Sequence, residues 1–446
     1  MKIVIIGGGS FTWAFGFARQ VINSQKLRPL QLILHDIDAE ALSLVAAVAR
    51  QYNQAQGNPI QIETSALLEP ALEGADFVLA SISTGGLAAM RHDLEIPEKY
   101  GIYHTVGDTV GPGGWLRAVR NIPVFNHFAE TMKRLCPEAW MLNVSNPLTV
   151  LTRVPHRNFG IKTLGMCPGV EGVARAFACL AGAPEKARLD YIVTGIDHGS
   201  WLIKLYADGL DVLKKLKEQG YCSGDDRLSA PIDDPVVRHQ AGVRAGFAVW
   251  REIGYLPSIG DRHTIENWPW FLTSPETAAS FGIQRTSIAE REQNRQKARQ
   301  RLEAYMRSPD EAALGSMGHG DDPVINVVEA LSGFGSFMWG CNYMNIGQIP
   351  GFPPGAVVET RCLVDTAGVH PLCSPMPDVL KVIVLPQVLR QEAIIDIALH
   401  GSFDELVALV TTDPLCSRLT IGQCRHMVRE MLIANRPLIQ NPRLLP

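Results

Sequence analysis

The stretch KIVIIGGGS, residues 2–10, decides how the chain is read. An unbroken apolar run of this length reads as a strand buried on both faces, and here it passes directly into three glycines. Helical periodicity follows over 10–23. Gly7, Gly8, Gly9 and Ser10 therefore form a turn between a strand and a helix. Glycines at such a turn let a backbone approach a pyrophosphate, and the helix N-terminus offers free N–H groups and a positive dipole end. The third glycine of the spaced dinucleotide fingerprint is replaced by Thr12. Asp36, at the end of the next strand, is suited to accept hydrogen bonds from an adenosine ribose and favours NAD over NADP. A ligand-free turn and a surface acid would use the same residues, but both in register on one β-α-β unit favour a cofactor.

Outward from this turn, strands and helices alternate. We expect strands over 30–36, 76–81 and 140–144, and helices over 39–54, 87–100 and 116–135. The glycine-rich segment 83–86 opens with Ser83, which we count with the cofactor residues. Such alternation implies a parallel, doubly wound α/β sheet, Rossmann-like and similar to lactate and malate dehydrogenases. Beyond about Thr163 the order changes. Segments 191–195 and 202–206 read as a bent strand pair around His198. Helices are expected around 235–254 and from Ser287, where Ser287 and Glu290 have capping-box spacing. The charge-rich face after Ser287 reads as solvated. Asp322 and Pro323 suit the start of a helix over 324–331, with a loop at 345–355 and a strand at 356–364. The expected division is a dinucleotide-binding domain over 1–165. An α+β domain over 166–446 would serve substrate binding, metal binding and oligomerisation.

Composition narrows the function. With 446 residues, 46% of them hydrophobic, the chain can bury a large core. A net charge of −4 and the lack of a Lys/Arg cluster with interleaved aromatics argue against nucleic acid. No run approaches the roughly 20 apolar residues of a membrane span. The apolar run of 3–6 meets GGGS at once, with no small-residue cleavage site of a secretory leader. Nine cysteines without a C-x-x-C pair do not make a disulfide framework. A reducing cytoplasm is the expected location.

Two short elements carry the chemistry: Cys167 in GMCPG and His198 in GIDHGSW, each just past a strand. A lone cysteine is most simply a small buried hydrophobe, and a lone histidine a hydrogen-bonded structural residue. As a pair they offer a thiolate and an imidazole to a divalent ion and leave positions open for substrate, the mark of a catalytic ion. Ser145-Asn146-Pro147 follows a strand as a similar Asn-Pro does in lactate and malate dehydrogenases. There the amide faces cofactor and substrate.

Taken together, these segments resemble glycoside hydrolase family 4, the NAD- and manganese-dependent glycosidases. The resemblance covers essentially the whole chain. It rests on GGGS at 7–10, VGDTVGPGGWLRAVRNIPVF at 106–125, NVSNP at 143–147 and GMC at 165–167. It continues through GIDHGSW at 195–201, GDRH at 260–263, NIGQIPGFPPGAVVE at 345–359 and the LVDTAGVHPL that follows. VGDTVGPGG and GDRH are most similar to the branch acting on α-galacturonides. Two positions depart from the family: Pro168 stands where His, Asn or Asp follows the metal cysteine, and Asp197 where Asn precedes the metal histidine.

The resemblance implies an α-glycosidase for α-galacturonides or other uronides that works through oxidation at sugar C3 by NAD. Deprotonation at C2, elimination of the aglycone and addition of water then follow. It implies Mn²⁺ on Cys167 and His198, stabilising an enolate, and Asp261 as the C2 base. Asp108 would contact substrate hydroxyls or assist deprotonation at C3, and Asn146 would orient the sugar near the nicotinamide. Arg262 and His263, beside Asp261, suit either a substrate carboxylate or a salt bridge within the protein. A homodimer or homotetramer is implied as well. An NAD-dependent dehydrogenase of a hydroxyacid or sugar is the alternative, and a non-catalytic sensor a third.

Overall fold

The computed structural model describes residues 1–222, 242–310, 314 and 323–446. The opening apolar run is β1 (Lys2–Ile6). Its side chains alternate between two cores: Val4 and Ile6 enter one, Ile3 and Ile5 the other. Both faces of the strand are covered, which is why the run shows no polar alternation. β2 (Gln31–His35), β3 (Gln61–Ser65), β4 (Phe77–Ala80), β5 (Trp140–Asn143) and β6 (Lys162–Met166) complete a parallel set in the order β3-β2-β1-β4-β5-β6. This is the doubly wound sheet that the alternation implied.

The sheet does not end at β6. With β7 (Leu189–Gly195), β8 (Trp201–Ala207), β9 (Leu210–Asp211), β10 (Leu256–Pro257), β11 (Phe337–Met344), β12 (Val357–Asp365) and β13 (Gly368–Pro371) it reaches 13 strands. Beyond β6 the order is β11-β12-β7-β8-β10, all antiparallel neighbours. Gly165, Asn342, Glu359 and Gly195 thereby pair in one row across β6, β11, β12 and β7. That row matters for the site. It puts the residues just after Gly165 and just after Gly195 on the same part of the sheet.

Several boundaries differ from the sequence reading. The first helix is Ala14–Asn23, because residues 10–13 still belong to the turn. The helix expected at 116 begins at Gly111, with Pro112 in its first turn, so a G-P-G-G that reads as loop is helical. β3 is half-exposed along QIETS and lacks the apolar run that marks a strand. β7 and β8 form the expected pair, with a register irregularity at Ile192 and Val193. Ser287 caps Ile288–Arg307 by accepting from Glu290 N, and only this half of the capping box forms. That helix buries only Ile288, Ala298, Leu302 and Tyr305, so its charged face is solvated. Of the helix expected at 235–254, Arg244–Ile253 is seen and 235–241 lie outside the described residues. Asp322 also lies outside them, while Pro323 caps Val324–Leu331. Among the described residues, no helix is long and apolar enough to cross a membrane.

Candidate active site

The glycine turn sits at the C-terminal end of β1. Gly7 has φ +91°, and a Cβ there would lie 2.0 Å from Ser81 O. Gly7 N and Gly8 N both donate to His35 O, at 3.0 and 2.8 Å. Gly9 N donates to Asp36 Oδ2 at 2.8 Å, and Asp36 Oδ1 accepts from Asp38 N at 3.0 Å. Asp36 thus braces the turn from the end of β2. Ser10 closes it, donating its N–H to Gly7 O and accepting from Trp13 N through Oγ. Ser83 is exposed between two anchored neighbours: Ile82 N donates to Ser145 Oγ, and Thr84 N to Asn121 Oδ1. A cradle with no room for Cβ atoms, at the carboxyl ends of parallel strands, fits a dinucleotide pyrophosphate.

Cys167 and His198 meet at the other end of the paired row. The Cys167 Sγ lies 3.8 Å from His198 Nε2, although 31 residues separate them in sequence. His198 has φ +60°, a left-handed conformation uncommon for a residue with a side chain. Asn267 Nδ2 holds its carbonyl at 2.8 Å. The other ring nitrogen, Nδ1, is 2.9 Å from Thr109 Oγ1, and Thr109 Oγ1 donates to Asp108 Oδ1 at 3.0 Å. A hydroxyl that donates to a carboxylate accepts from the ring, so Nδ1 carries the hydrogen and Nε2 presents its lone pair towards the thiol. Asn146 Nδ2 donates to Asp108 Oδ2 at 2.9 Å, and Arg117 Nε to Asn146 O at 3.0 Å. Cys167, His198, Asp108 and Asn146 are thereby brought together. Ligand atoms of Cys167, Asp197 and His198 lie within 4.8 Å of one another. Soft sulfur, imidazole nitrogen and carboxylate oxygen together fit a divalent transition metal.

Charge is concentrated here. Burial disfavours ionisation of Asp108, but its neighbours His263, His198 and Arg117 and the Asn146 hydrogen bond hold its pKa well below the usual carboxylate range. Burial, with the adjacent His198, pushes His263 down to about 3, so its ring is neutral. The two imidazoles stack, with centroids 3.6 Å apart. Glu359, in the row behind the site, is pushed up to about 8 by burial and by the Asp197 carboxylate.

Asp261 occupies a different position. Its two oxygens accept from Ala245 N and Gly246 N, each at 2.9 Å, at the start of the helix Arg244–Ile253. Burial pushes its pKa up to about 6 against those hydrogen bonds. No hydrogen bond or ion pair joins it to Cys167, His198 or Asp108 among the described residues. Arg262 reaches back to Thr286 Oγ1 and Thr105 O, and its Nε is buried without a partner. His263 Nδ1 is likewise buried and unpartnered.

Four supporting residues escaped the sequence reading. Glu266 accepts from Thr105 N, Val106 N and Gly107 N at 2.8–2.9 Å and fixes the loop that carries Asp108. Asn267 holds His198. A signal existed for both: they follow His263 by three and four residues, so one short helical turn serves the whole site. Thr109 and Arg117 lie inside the 106–125 motif, unmarked by residue type. Among the described residues, the terminal amino groups of Arg117 make no protein hydrogen bond.

Comparison with known proteins agrees with this geometry. Residues 2–182 match the model described as family 4 glycosyl hydrolase, and 193–416 that of the family 4 glycosyl hydrolase C-terminal domain. An alpha-galacturonidase of Thermoanaerobacterium saccharolyticum is 31% identical, over 97% of this chain and 95% of its own. A solved Bacillus subtilis structure, 29% identical, superposes with a TM-score of 0.87 over 97% and 99% of the two chains. A 6-phospho-alpha-glucosidase from gut microorganisms, solved with NAD and Mn²⁺, is 20% identical and shares the fold with a TM-score of 0.82 over 100% and 99%. A Plasmodium falciparum malate dehydrogenase, 15% identical, reaches a TM-score of 0.50 over 91% and 99%, a likeness of fold.

Proposed function

The chain belongs to family 4 of the glycosyl hydrolases, and on that premise we propose that it cleaves α-galacturonides or other α-uronides with NAD and Mn²⁺. The observation that carries this reading is the approach of Cys167 and His198 beside Asp108 and Asn146. Its support includes the alpha-galacturonidase relative and the NAD and Mn²⁺ in the gut-microorganism structure.

Gly7, Gly8, Gly9, Ser10, Asp36 and Ser83 would hold NAD, and Cys167 and His198 the cation. Bound NAD supplies a reversible hydride acceptor at sugar C3, and the cation supplies Lewis-acid stabilisation of charge on the sugar oxygens. Asp108, ionised and hydrogen-bonded to Asn146, contacts the sugar hydroxyls and takes the C3–OH proton. Asn146 orients the ring. Asp261 removes the C2 proton, making elimination of the aglycone possible, and a pKa near 6 makes it a stronger base than an ordinary carboxylate. Arg262 and His263 face the substrate carboxylate, and we add Arg117, whose unpaired amino groups lie beside Asp108 and suit a bidentate carboxylate. Residues 1–165 form the cofactor half and 166–446 the metal, substrate and oligomer half. Nine cysteines without a C-x-x-C pair suit a cytoplasmic enzyme, and we expect a homodimer or homotetramer.

The test is a panel of aryl α- and β-glycosides with NAD, Mn²⁺ and a reductant in D₂O. The expected result is turnover of α-uronides, with deuterium at C2 of the product and no net NADH. Retained protium at C2 refutes elimination, and NADH formed turnover for turnover would identify a dehydrogenase.

A further inference from the structure

Asp197 is one of the two departures from the family motif, and the roles proposed above leave it unassigned. It is 1% exposed, and neither carboxylate oxygen has a hydrogen-bond partner. Its Oδ2 lies 3.6 Å from His198 Nε2, the nitrogen that faces Cys167. Ligand atoms of Asp197, Cys167 and His198 all lie within 4.8 Å of one another. A buried carboxylate oxygen this close to a thiol sulfur and an imidazole lone pair suits a shared cation. Arginine does not supply one: Arg117 and Arg262 turn to Asn146 and to Thr105 and Thr286. His198 directs its Nδ1–H away, to Thr109.

We propose that Asp197 is a third protein ligand of the divalent cation, beside Cys167 Sγ and His198 Nε2. This rests on the metal site assigned above. An asparagine offers the ion a neutral oxygen, whereas aspartate adds a full charge. Thiolate and carboxylate together then balance the charge of a 2+ ion. Three protein ligands still leave positions for two sugar oxygens. The same change moves the site towards harder, oxygen-preferring ions such as Mn²⁺.

The experiment uses the full chain stripped of metal and titrated with Mn²⁺ alone, free ion being read by electron paramagnetic resonance without glycoside. Asp197→Asn is expected to weaken Mn²⁺ binding by at least about 10–100-fold, the effect already seen for losing a mere supporting partner of a metal ligand. NAD binding should be unchanged, and the metal-free protein should unfold no earlier than wild type, because an uncompensated charge has gone. Asp197→Glu should bind Mn²⁺ more tightly than Asp197→Asn, which controls for misfolding. Mn²⁺ affinity unchanged in Asp197→Asn but lost in Cys167→Ser overturns this inference alone. If Cys167→Ser also leaves Mn²⁺ affinity unchanged, the metal site itself falls, and the inference with it.

Discussion

The glycine turn of the parallel half and the surroundings of His198 in the antiparallel half differ in how fully their polar groups are paired. At the glycine turn every charged or polar anchor is matched: Asp36 takes Gly9 N and Asp38 N, and His35 O takes Gly7 N and Gly8 N. Around His198, Asp197 has no donors, His263 Nδ1 has no partner and His198 sits at φ +60°. Backbone donors complete the glycine turn by themselves, whereas around His198 buried polar groups stay unpaired, as the proposed cation and sugar would require.

That contrast can be broken by experiment. The largest effect is expected for Cys167→Ser. Removing the thiolate should abolish Mn²⁺-stimulated activity, by roughly three powers of ten if Lewis-acid stabilisation is worth several kcal/mol, while changes at the other cysteines should not. Assay against Mn²⁺ concentration checks this. Asp261→Asn should lower kcat by about 10²–10⁴-fold and leave NAD affinity intact, because one acceptor oxygen remains for the helix. In the wild type, kcat should rise with pH through about 6 as this carboxyl loses its proton. The stability sign runs the other way. An unfolded aspartate ionises near about 3.9 and the folded one near about 6. The contribution of Asp261 is therefore greatest below the lower value and is lost as pH rises through the higher. Asp261→Asn should flatten that part of a denaturation-against-pH profile.

Smaller effects sharpen the comparison on the cofactor side. Gly7→Ala forces a Cβ against Ser81 O at positive φ and should cost about 1–3 kcal/mol. Calorimetry should show weaker NAD binding with Mn²⁺ binding unchanged. Asn267→Ala removes the hydrogen bond to His198 O and should cost about 1–2 kcal/mol. Here Mn²⁺ affinity should fall and NAD affinity should not. Ser287→Ala, remote from both, should cost only about 1 kcal/mol of helix capping, readable as a lower Tm at full activity.

The difference between the halves also explains what could be read in the chain. β1, β2, β4 and β5 announce themselves because strands buried on both faces need continuous apolar runs, and the glycines after β1 have no steric alternative. Cys167 and His198 were legible as a pair from their short motifs. β11 was not, since FMWGCNYM mixes glycine, asparagine and aromatics and takes its order from β6 and β12 on either side. Thr109 and Arg117 were invisible for a similar reason: nothing in their residue type marks them, and only their partners give them roles.

Local sequence by itself determined the doubly wound parallel sheet, the glycine turn and the residue types of the Cys167–His198 pair. Those depend on burial period and backbone sterics, which act over a few neighbours. Only tertiary structure decided that Gly165, Asn342, Glu359 and Gly195 share a row, that Asp261 lies at a helix start, and that Asp197 is left without donors. Strand order is set by segments as distant as β6 and β11, and the matching of buried charges by partners brought together in the fold, neither of which a local pattern encodes.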